Sequence, residues 1–287
     1  MSAPTPSTTP ATEVVVVIGA GAIGQAIVRR VAAGRTVLVA DIDDDNAAAA
    51  ARTLEGAGYR VTTGHVDVSD GASVAALAEQ ATGLGAVTRV IHTAGLSPAQ
   101  ASPQAIIAVD LVGTAHVLEA FGRVVAPGGS GVVIASQAGH MIPPLPAEQN
   151  EALSRTPASR LTDLPMLQAD AVPGSGFAYA LAKRANVLRV QAASVEWGDR
   201  GARLNSLSPG IIMTPLALDE LNSPAGETYQ EMIRASAAGR VGSPDEVAGA
   251  AAFLLGPDGA FVTGTDLLID GGVIASIVTG RFQVRLS

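Results

Sequence analysis

Two side chains in the second half of the chain have the types and spacing of an acid–base pair. Residues 177–197, which begin Phe-Ala-Tyr-Ala-Leu-Ala-Lys, are rich in Ala and Leu and contain no Gly or Pro, which predicts a helix. Tyr179 and Lys183 lie on one face of that helix, about one turn apart. A phenol has an unperturbed pKa of about 10, and a cation beside it stabilises the phenolate and lowers that pKa. The pair therefore indicates a proton donor and acceptor, although this spacing also occurs by chance.

A glycine-rich turn near the start of the chain joins a strand to a helix. The β-branched run Val14–Ile18 predicts a strand buried on both faces, and it leads into Gly19-Ala20-Gly21-Ala22-Ile23-Gly24. A helical pattern from Gln25 to Ala33 follows, and a second strand ends at Asp41. This is the dinucleotide-binding unit, whose glycines allow a tight turn, close approach of the pyrophosphate and close helix packing. The alternative is a tight turn without a ligand.

Asp41 indicates which dinucleotide the turn binds. Its carboxylate can accept hydrogen bonds from both ribose hydroxyls, and its charge repels the 2′-phosphate of NADP(H). Asp43, Asp44 and Asp45 add negative charge, and no Arg follows immediately. We therefore expect NAD(H) as the cofactor.

Strands and helices alternate along the rest of the chain. This pattern predicts one α/β domain, with a Rossmann-type doubly wound parallel sheet of about seven strands and helices on both faces. Ligands of such sheets bind at the carboxyl ends of the strands, where Gly19, Asp41, Asp67, Gly95 and Ser136 all fall. The further predicted strands span residues 59–66, 87–92, 131–135, 202–207 and 266–269, and the further predicted helices span residues 46–54, 70–81, 103–125, 177–197 and 244–255.

The alternation fails between Gln137 and Ser175. Prolines and mixed polar residues leave no sustained helix or strand there, and loops of this length are usually lids, binding segments or disordered. The insert leaves the fifth strand and returns just before Tyr179, so we expect a substrate lid within a single domain, residues 13–287. A subunit interface and disorder are the alternatives. Residues 1–12 are small, polar and Pro-rich, which predicts a disordered tail.

Composition excludes several classes of function. Hydrophobic residues make up 48% of the chain and charged residues 15%, with a net charge of −8, which disfavours a nucleic-acid or anionic-membrane surface. The chain contains no cysteine, so it has neither disulfides nor thiolate metal sites, and we expect no metal. No apolar run approaches the roughly 20 residues that span a bilayer, and the start lacks the pattern of a signal peptide. These features predict a cytoplasmic protein that binds neither nucleic acid nor membrane.

Several separate motifs, in this order along the chain, make it resemble the short-chain dehydrogenase/reductase family in its single-domain form. They are the glycine turn, Asp67-Val68, Ala94-Gly95, Ser136 after the fifth strand, Tyr179-x-x-x-Lys183, Asn205 to Gly210 with Thr214, and Val262-x-Gly264 through Asp270-Gly271-Gly272. The resemblance implies hydride transfer between a nicotinamide and a substrate carbon, with Tyr179 as the general acid–base. Lys183 would lower the pKa of Tyr179 and hold the nicotinamide ribose, and Ser136 would polarise the substrate oxygen. Ser136 could instead only cap a loop.

The same resemblance implies a set of cofactor contacts. They are Gly19, Gly21, Ala22, Ile23, Gly24, Asp41, Ile42, Asp67, Val68, Thr93, Ala94, Gly95, Tyr179, Lys183, Pro209, Gly210, Ile212 and Thr214.

Three positions depart from the family pattern. The glycine turn is more compact than usual, with Ile18 where Thr is common, and Thr93 replaces the usual Asn before Ala94-Gly95. Asp110 stands where the family often has a catalytic Asn. Its carboxylate could hold the relay water near Lys183, or the substitution could have only a structural role.

The predicted function is NAD(H)-dependent interconversion of a secondary alcohol and a ketone. Bacterial 3α-hydroxysteroid dehydrogenase/carbonyl reductases resemble the chain in the insert, in Tyr-Ala-x-x-Lys and in Trp197 to Asn205, which suggests a bulky apolar or steroid-like carbonyl. The alternatives are a 3-oxoacyl-thioester reductase, which the charge and Asp41 disfavour, and a non-catalytic nucleotide sensor. We expect a homodimer or homotetramer.

Overall fold

A seven-stranded parallel sheet forms the centre of the protein. The computed structural model describes residues 12–222 and 226–283, so the predicted disordered tail lies outside the described residues apart from Thr12. The strands are β1 (Glu13–Ile18), β2 (Thr36–Asp41), β3 (Arg60–His65), β4 (Ala86–His92), β5 (Ser130–Ile134), β6 (Arg203–Pro209) and β7 (Asp266–Ile269). Their order is β3-β2-β1-β4-β5-β6-β7. This arrangement confirms the predicted doubly wound sheet.

Helices cover both faces of the sheet, as predicted. They are α1 (Ala22–Val31), α2 (Asp44–Glu55), α3 (Gly71–Leu84), α4 (Pro103–Ile106), α5 (Thr114–Val124), α6 (Ala147–Arg155), α7 (Ser175–Asp199), α8 (Pro215–Leu221), α9 (Gly226–Ala235), α10 (Pro244–Leu255) and α11 (Val273–Val278). Helices α3, α5 and α7 pack on one face, and α1, α2 and α10 pack on the other. Residues of β1 point alternately into the two cores, which explains its unbroken apolar run.

The helix starts follow local signals. Ser243 and Glu246 form a capping box at α10, with Pro244 in the first turn. Helix α1 begins at Ala22 rather than at the predicted Gln25, because the last residues of the glycine turn already belong to the helix. Two further helices, α8 and α9, follow β6.

The long helix predicted for residues 103–125 is interrupted by a π-helical segment. Helix α4 continues into π-helical residues Ile107–Gly113 and then into α5. The whole run Pro103–Val124 is 22 residues long with a mean hydropathy of 1.5 over its most apolar window. By length and composition it could cross a membrane, which corrects the expectation that no such run exists. Because 61% of that window is buried inside the domain, core packing accounts for its apolar character.

The insert contains regular structure, which corrects the expectation that it has none. Helix α6 packs against α7, and short 3-10 turns occupy Gln137–His140, Ala158–Asp163 and Pro165–Leu167. Leu153 and Leu161 are fully buried in a core shared with α7. The sequence hides this helix because prolines break the chain on both sides of a short segment.

Candidate active site

The three glycines of the turn after β1 have different local environments. Gly19 has φ +99°, and a Cβ there would lie 2.6 Å from the backbone nitrogen of Ala94, so only glycine fits. A Cβ on Gly24 would lie 2.8 Å from the carbonyl oxygen of Gly19. Gly21 precedes α1 without any side-chain cap, and nothing lies within 4 Å of its Cβ position. The first turn of α1, which includes Ala22 and Ile23, is therefore open to an anion.

The carboxylate of Asp41 is fixed at the end of β2. Its Oδ2 accepts a hydrogen bond from the backbone of Ala20 at 2.8 Å, and its Oδ1 accepts one from Asp43 at 3.0 Å. The side chain of Ile42 beside it is 61% exposed. A fixed acidic group and an exposed apolar side chain suit a ribose and an adenine ring, respectively.

The residues after β3 and β4 are held by local hydrogen bonds. Asp67 Oδ1 accepts from the backbone and hydroxyl of Ser69 at 2.9 and 2.7 Å. Val68 is buried, and a Cβ on Gly113 would lie 2.7 Å from it. The hydroxyl of Thr93 donates to the carbonyl of Gly19 at 2.9 Å, so this residue holds the end of β4 against the glycine turn.

Tyr179 and Lys183 lie together on α7, as the spacing predicts. Lys183 Nζ is 5.3 Å from the centroid of the Tyr179 ring. The same ammonium donates to the backbone carbonyl of Ile134 at 3.4 Å, two residues before Ser136. The two side chains therefore lie at the carboxyl end of β5.

Asp110 belongs to this centre and pairs directly with Lys183. Its Oδ2 lies 3.2 Å from Lys183 Nζ, and its side chain is fully buried. Its Oδ1 accepts a hydrogen bond from the backbone of Leu96 at 2.7 Å. Burial alone would lower the pKa of Lys183, but the charges of Asp110 and Tyr179 outweigh burial and raise it above its ordinary value. Lys183 is therefore a permanent cation at neutral pH.

Gly95 leaves room for the buried ion pair. A Cβ at this position would lie 3.2 Å from Lys183 Nζ and 3.3 Å from Asp110 Oδ2. A larger residue in place of Gly95 would therefore crowd the Lys183–Asp110 ion pair.

Ser136 lies at the end of β5 and caps the 3-10 turn that follows. Its Oγ accepts a hydrogen bond from the backbone of Ala138 at 3.2 Å. The capping role considered from the sequence is thus present, and the hydroxyl proton is still available for donation. A Cβ on Gly139 would lie 2.7 Å from the backbone nitrogen of Arg184, so this turn packs closely on α7 beside Lys183.

The remaining predicted cofactor residues lie at the end of β6 and after it. A Cβ on Gly210, which follows Pro209, would lie 3.0 Å from Gln137 Oε1. Ile212 forms a bridge with Gly242. Thr214 Oγ1 accepts from the backbone of Ala217 at 3.1 Å and caps α8.

Several groups at this centre have no signal in the sequence. Asp110 bonds to the backbone of Leu96, and Lys183 bonds to the backbone of Ile134. Every residue has the same backbone groups, so the residue type at these positions does not reveal the contacts. His140 Nε2 lies 2.9 Å from Asp266 Oδ2, and the two residues are far apart in the chain. The described ranges contain no group of three or more acidic or histidine side chains that could hold a metal ion.

These features define a dinucleotide-binding α/β domain with a polar centre of Tyr, Lys and Asp at the carboxyl edge of the sheet. Two family models match the chain: "short chain dehydrogenase" over residues 13–147 and "Enoyl-(Acyl carrier protein) reductase" over residues 155–274. The chain belongs to the short-chain dehydrogenase/reductase family of oxidoreductases.

Relatives with known names agree with this assignment. The chain is 42% identical to the short-chain dehydrogenase/reductase bsc3 of Alternaria brassicicola, over 91% of this chain and 95% of that protein. It is 28% identical to the 3-alpha-hydroxysteroid dehydrogenase/carbonyl reductase of Comamonas testosteroni, over 82% of this chain and 95% of that protein. The crystal structure of the 3-alpha-hydroxysteroid dehydrogenase of a Pseudomonas species, complexed with NADH, has a TM-score of 0.74 and 27% identity, and the match covers 94% of this chain and 100% of that chain.

Proposed function

We propose that the protein is an NAD(H)-dependent oxidoreductase that interconverts a secondary alcohol and a ketone, with Tyr179 as the general acid–base. The observation that carries this proposal is the buried Lys183–Asp110 pair, which holds a permanent cation beside the Tyr179 ring. A cation in this position favours the phenolate, so the phenol can take a proton from an alcohol or return one to a ketone.

The residues near the glycine turn fit a nicotinamide cofactor. The open cradle at Gly21 and the first turn of α1 would receive the pyrophosphate, and Asp41 would hold the ribose. When bound, the cofactor supplies the hydride donor or acceptor. Lys183 would also hold the nicotinamide ribose, while Ser136 donates a hydrogen bond to the substrate oxygen and orients it toward Tyr179.

Asp110 fixes Lys183 in this scheme. The carboxylate has one oxygen on Lys183 and the other on the Leu96 backbone, so it spans α7 and the loop after β4. This geometry supports a structural role, in which Asp110 fixes the position of Lys183 directly. A relay water held by the same carboxylate is the alternative.

Charge supports NAD(H) over NADP(H). The Asp41 carboxylate would repel the 2′-phosphate of NADP(H), and Asp43, Asp44 and Asp45, which follow it closely in sequence, add negative charge. The related Pseudomonas enzyme was crystallised with NADH, which agrees with this preference.

The names of the relatives suggest the substrate class. Two relatives are named for hydroxysteroids or carbonyls, and Phe177, next but one to Tyr179, is 38% exposed. We therefore propose a bulky apolar or steroid-like carbonyl. A 3-oxoacyl-thioester substrate is disfavoured by the net charge of −8, since an acyl carrier is acidic. We further propose a homodimer or homotetramer that works in the cytoplasm.

A panel of ketones and secondary alcohols, assayed with both cofactors through the absorbance of the reduced nicotinamide, tests the function. Tyr179→Phe removes only the proton-transferring group, so it should lower kcat by about 10²–10⁴-fold while cofactor affinity, measured by calorimetry, is retained. Lys183→Ala should lower both kcat and the affinity for the cofactor. Retention of more than about a tenth of kcat in Tyr179→Phe would refute the acid–base role. Cofactor binding without turnover on any substrate would favour the nucleotide sensor.

A further inference from the structure

A chain of buried polar groups lies behind the Lys183–Asp110 pair. His92, the last residue of β4, places Nε2 3.0 Å from Thr114 Oγ1, and Thr114 Oγ1 donates to the backbone carbonyl of Asp110 at 2.8 Å. His92 is 2% and Thr114 1% exposed. Water cannot replace a lost partner at this depth, so each of these hydrogen bonds has a structural consequence when it is removed.

The donor of each bond follows from simple counting. A threonine hydroxyl has one proton, and a backbone carbonyl can only accept. The proton of Thr114 therefore points to Asp110, and His92 Nε2 must donate to Thr114. His92 is thus the neutral tautomer with its proton on Nε2, and its Nδ1, an acceptor, has no hydrogen-bond partner among the described residues. Burial first, and then the charge of Lys183, lowers the pKa of His92 to about 3, so this tautomer persists at neutral pH.

The π-helical segment explains why Asp110 needs this support. In an α-helix the backbone N–H of Thr114 would bond to the carbonyl of Asp110, four residues earlier. Here that N–H bonds to the carbonyl of Leu111 instead. The Thr114 hydroxyl takes over the carbonyl of Asp110, and His92 holds the hydroxyl in place. The side chain of Asp110 leaves the same turn toward Lys183.

We propose that His92 and Thr114 are positioning residues that hold the π-helical turn and thereby keep the Asp110 carboxylate against Lys183. This inference rests on the proposed function of Tyr179 and Lys183. When the hydroxyl or its donor is lost, the turn relaxes and the carboxylate moves away from the ammonium. The negative charge near the Tyr179–Lys183 pair is then weaker, so the effect has the same direction as removal of the carboxylate in Asp110→Asn.

Matched substitutions separate the hydrogen bonds from packing. Thr114→Val has nearly the same shape as threonine and lacks the hydroxyl, whereas Thr114→Ser keeps it. His92→Leu lacks the donor, whereas His92→Gln keeps an N–H. In the pH profile of kcat/KM for alcohol oxidation, Thr114→Val and His92→Leu should move the acidic limb to lower pH by about half a unit, a threefold change in rate on that limb. Thr114→Ser and His92→Gln should restore the wild-type limb, and the Thr114→Val, His92→Leu double variant should shift no further.

The outcomes distinguish this inference from the proposed function. If Asp110→Asn shifts the limb while Thr114→Val and His92→Leu change only the melting temperature, the positioning role is wrong and the function stands. If the wild-type protein turns over no substrate, the function fails.

A measurement without substrate tests the tautomer directly. In ¹⁵N NMR of the wild-type protein, the His92 signals, assigned by their loss in His92→Gln, should show a protonated Nε2 and a bare Nδ1 from about pH 5 to 9. A proton on Nδ1, or titration near the ordinary histidine pKa of about 6.5, would overturn the inference.

Discussion

Substitution of Asp110 by Asn tests the central ion pair most directly. The change removes the charge and nearly preserves the shape, and the Asn side-chain oxygen can still accept from the backbone of Leu96, now 2.7 Å from Oδ1. Lys183 is left as a buried cation whose side chain is 6% exposed. Loss of one partner of a buried ion pair typically costs about 3–5 kcal/mol. For a domain of this size, 1 kcal/mol corresponds to roughly 2–4 °C in Tm, so Tm should fall by roughly 6–20 °C.

The pH dependence of that loss has a defined sign. In the wild-type protein the pKa of Lys183 is raised, so its contribution to stability is complete below the unfolded value of about 10.4 and disappears as pH rises through the folded value. In Asp110→Asn burial dominates and lowers the pKa of Lys183, so the unfolded chain binds more protons between the two pKa values and stability rises with pH. The Tm gap between the proteins should therefore narrow in alkaline buffer.

The same substitution should change catalysis in a specific way. Removal of a negative charge beside the Tyr179–Lys183 pair favours the phenolate, so the acidic limb of kcat/KM should move to lower pH by about one unit, or 1.4 kcal/mol. Activity at neutral pH should be retained. Asp258→Asn, at an exposed aspartate in the turn after α10, is the matched control and should change neither Tm nor the profile.

Two results would refute this reasoning. A folded but inactive Asp110→Asn protein would place the carboxylate in the proton relay rather than in support of the lysine. An unchanged Tm together with an unchanged pH profile would show that the pair at 3.2 Å contributes nothing.

Three further predictions concern the cofactor, the insert and the sheet edge. Asp41→Ala should reduce the kcat/KM preference for NAD(H) over NADP(H) by about tenfold or more, or ~1.4 kcal/mol, and a wild-type preference for NADP(H) would contradict it. In limited proteolysis with a protease of broad specificity, the insert, residues 137–175, should be cut in the free protein and protected when cofactor and a substrate analogue are both bound. Equally fast cleavage with and without the ligands would indicate disorder, and protection without any ligand would indicate a subunit interface. Asp266 is buried, which raises its pKa, but hydrogen bonds from His140 and two serines outweigh burial and lower it. Asp266→Asn should therefore be less stable in urea at neutral pH, and the gap should close below about pH 4; a pH-independent gap would contradict this.

The sheet and the positions of the motifs could be predicted because both follow from local pattern. A continuous β-branched run such as Val14–Ile18 strongly favours a buried strand of a parallel sheet. The residues that follow the carboxyl ends of parallel strands then lie at the same edge of the sheet. The pattern therefore predicts that Asp41 and Ser136 lie at the carboxyl edge of the sheet. The Tyr179–Lys183 pair was predictable for the same reason, since helical spacing alone brings four-apart side chains together.

The support behind those motifs could not be predicted, because it depends on tertiary contacts. The π-helical turn at Asp110 has no composition signature, and its partners are the backbone of Leu96 and the hydroxyl of Thr114. The prediction that the insert lacks a helix was wrong because α6 is short and is stabilised by its packing against α7. The guanidinium of Arg189, on α7, donates to the carbonyls of Leu153 and Thr156 at 2.9 and 2.8 Å. The hydrophobic periodicity of the sequence does not indicate these hydrogen bonds.

The two departures from the family pattern at the glycine turn compensate each other. A Cβ on Gly19 would lie 2.6 Å from the nitrogen of Ala94 and 2.8 Å from Thr93 Oγ1, so the compact turn rests directly on the end of β4. A threonine side chain is shorter than an asparagine and β-branched, which restricts its χ1. Its hydroxyl can therefore donate to the carbonyl of Gly19 at 2.9 Å without filling the space that the turn needs. The compact turn and Thr93 thus form one structural unit, joined by the hydrogen bond from the Thr93 hydroxyl to the carbonyl of Gly19.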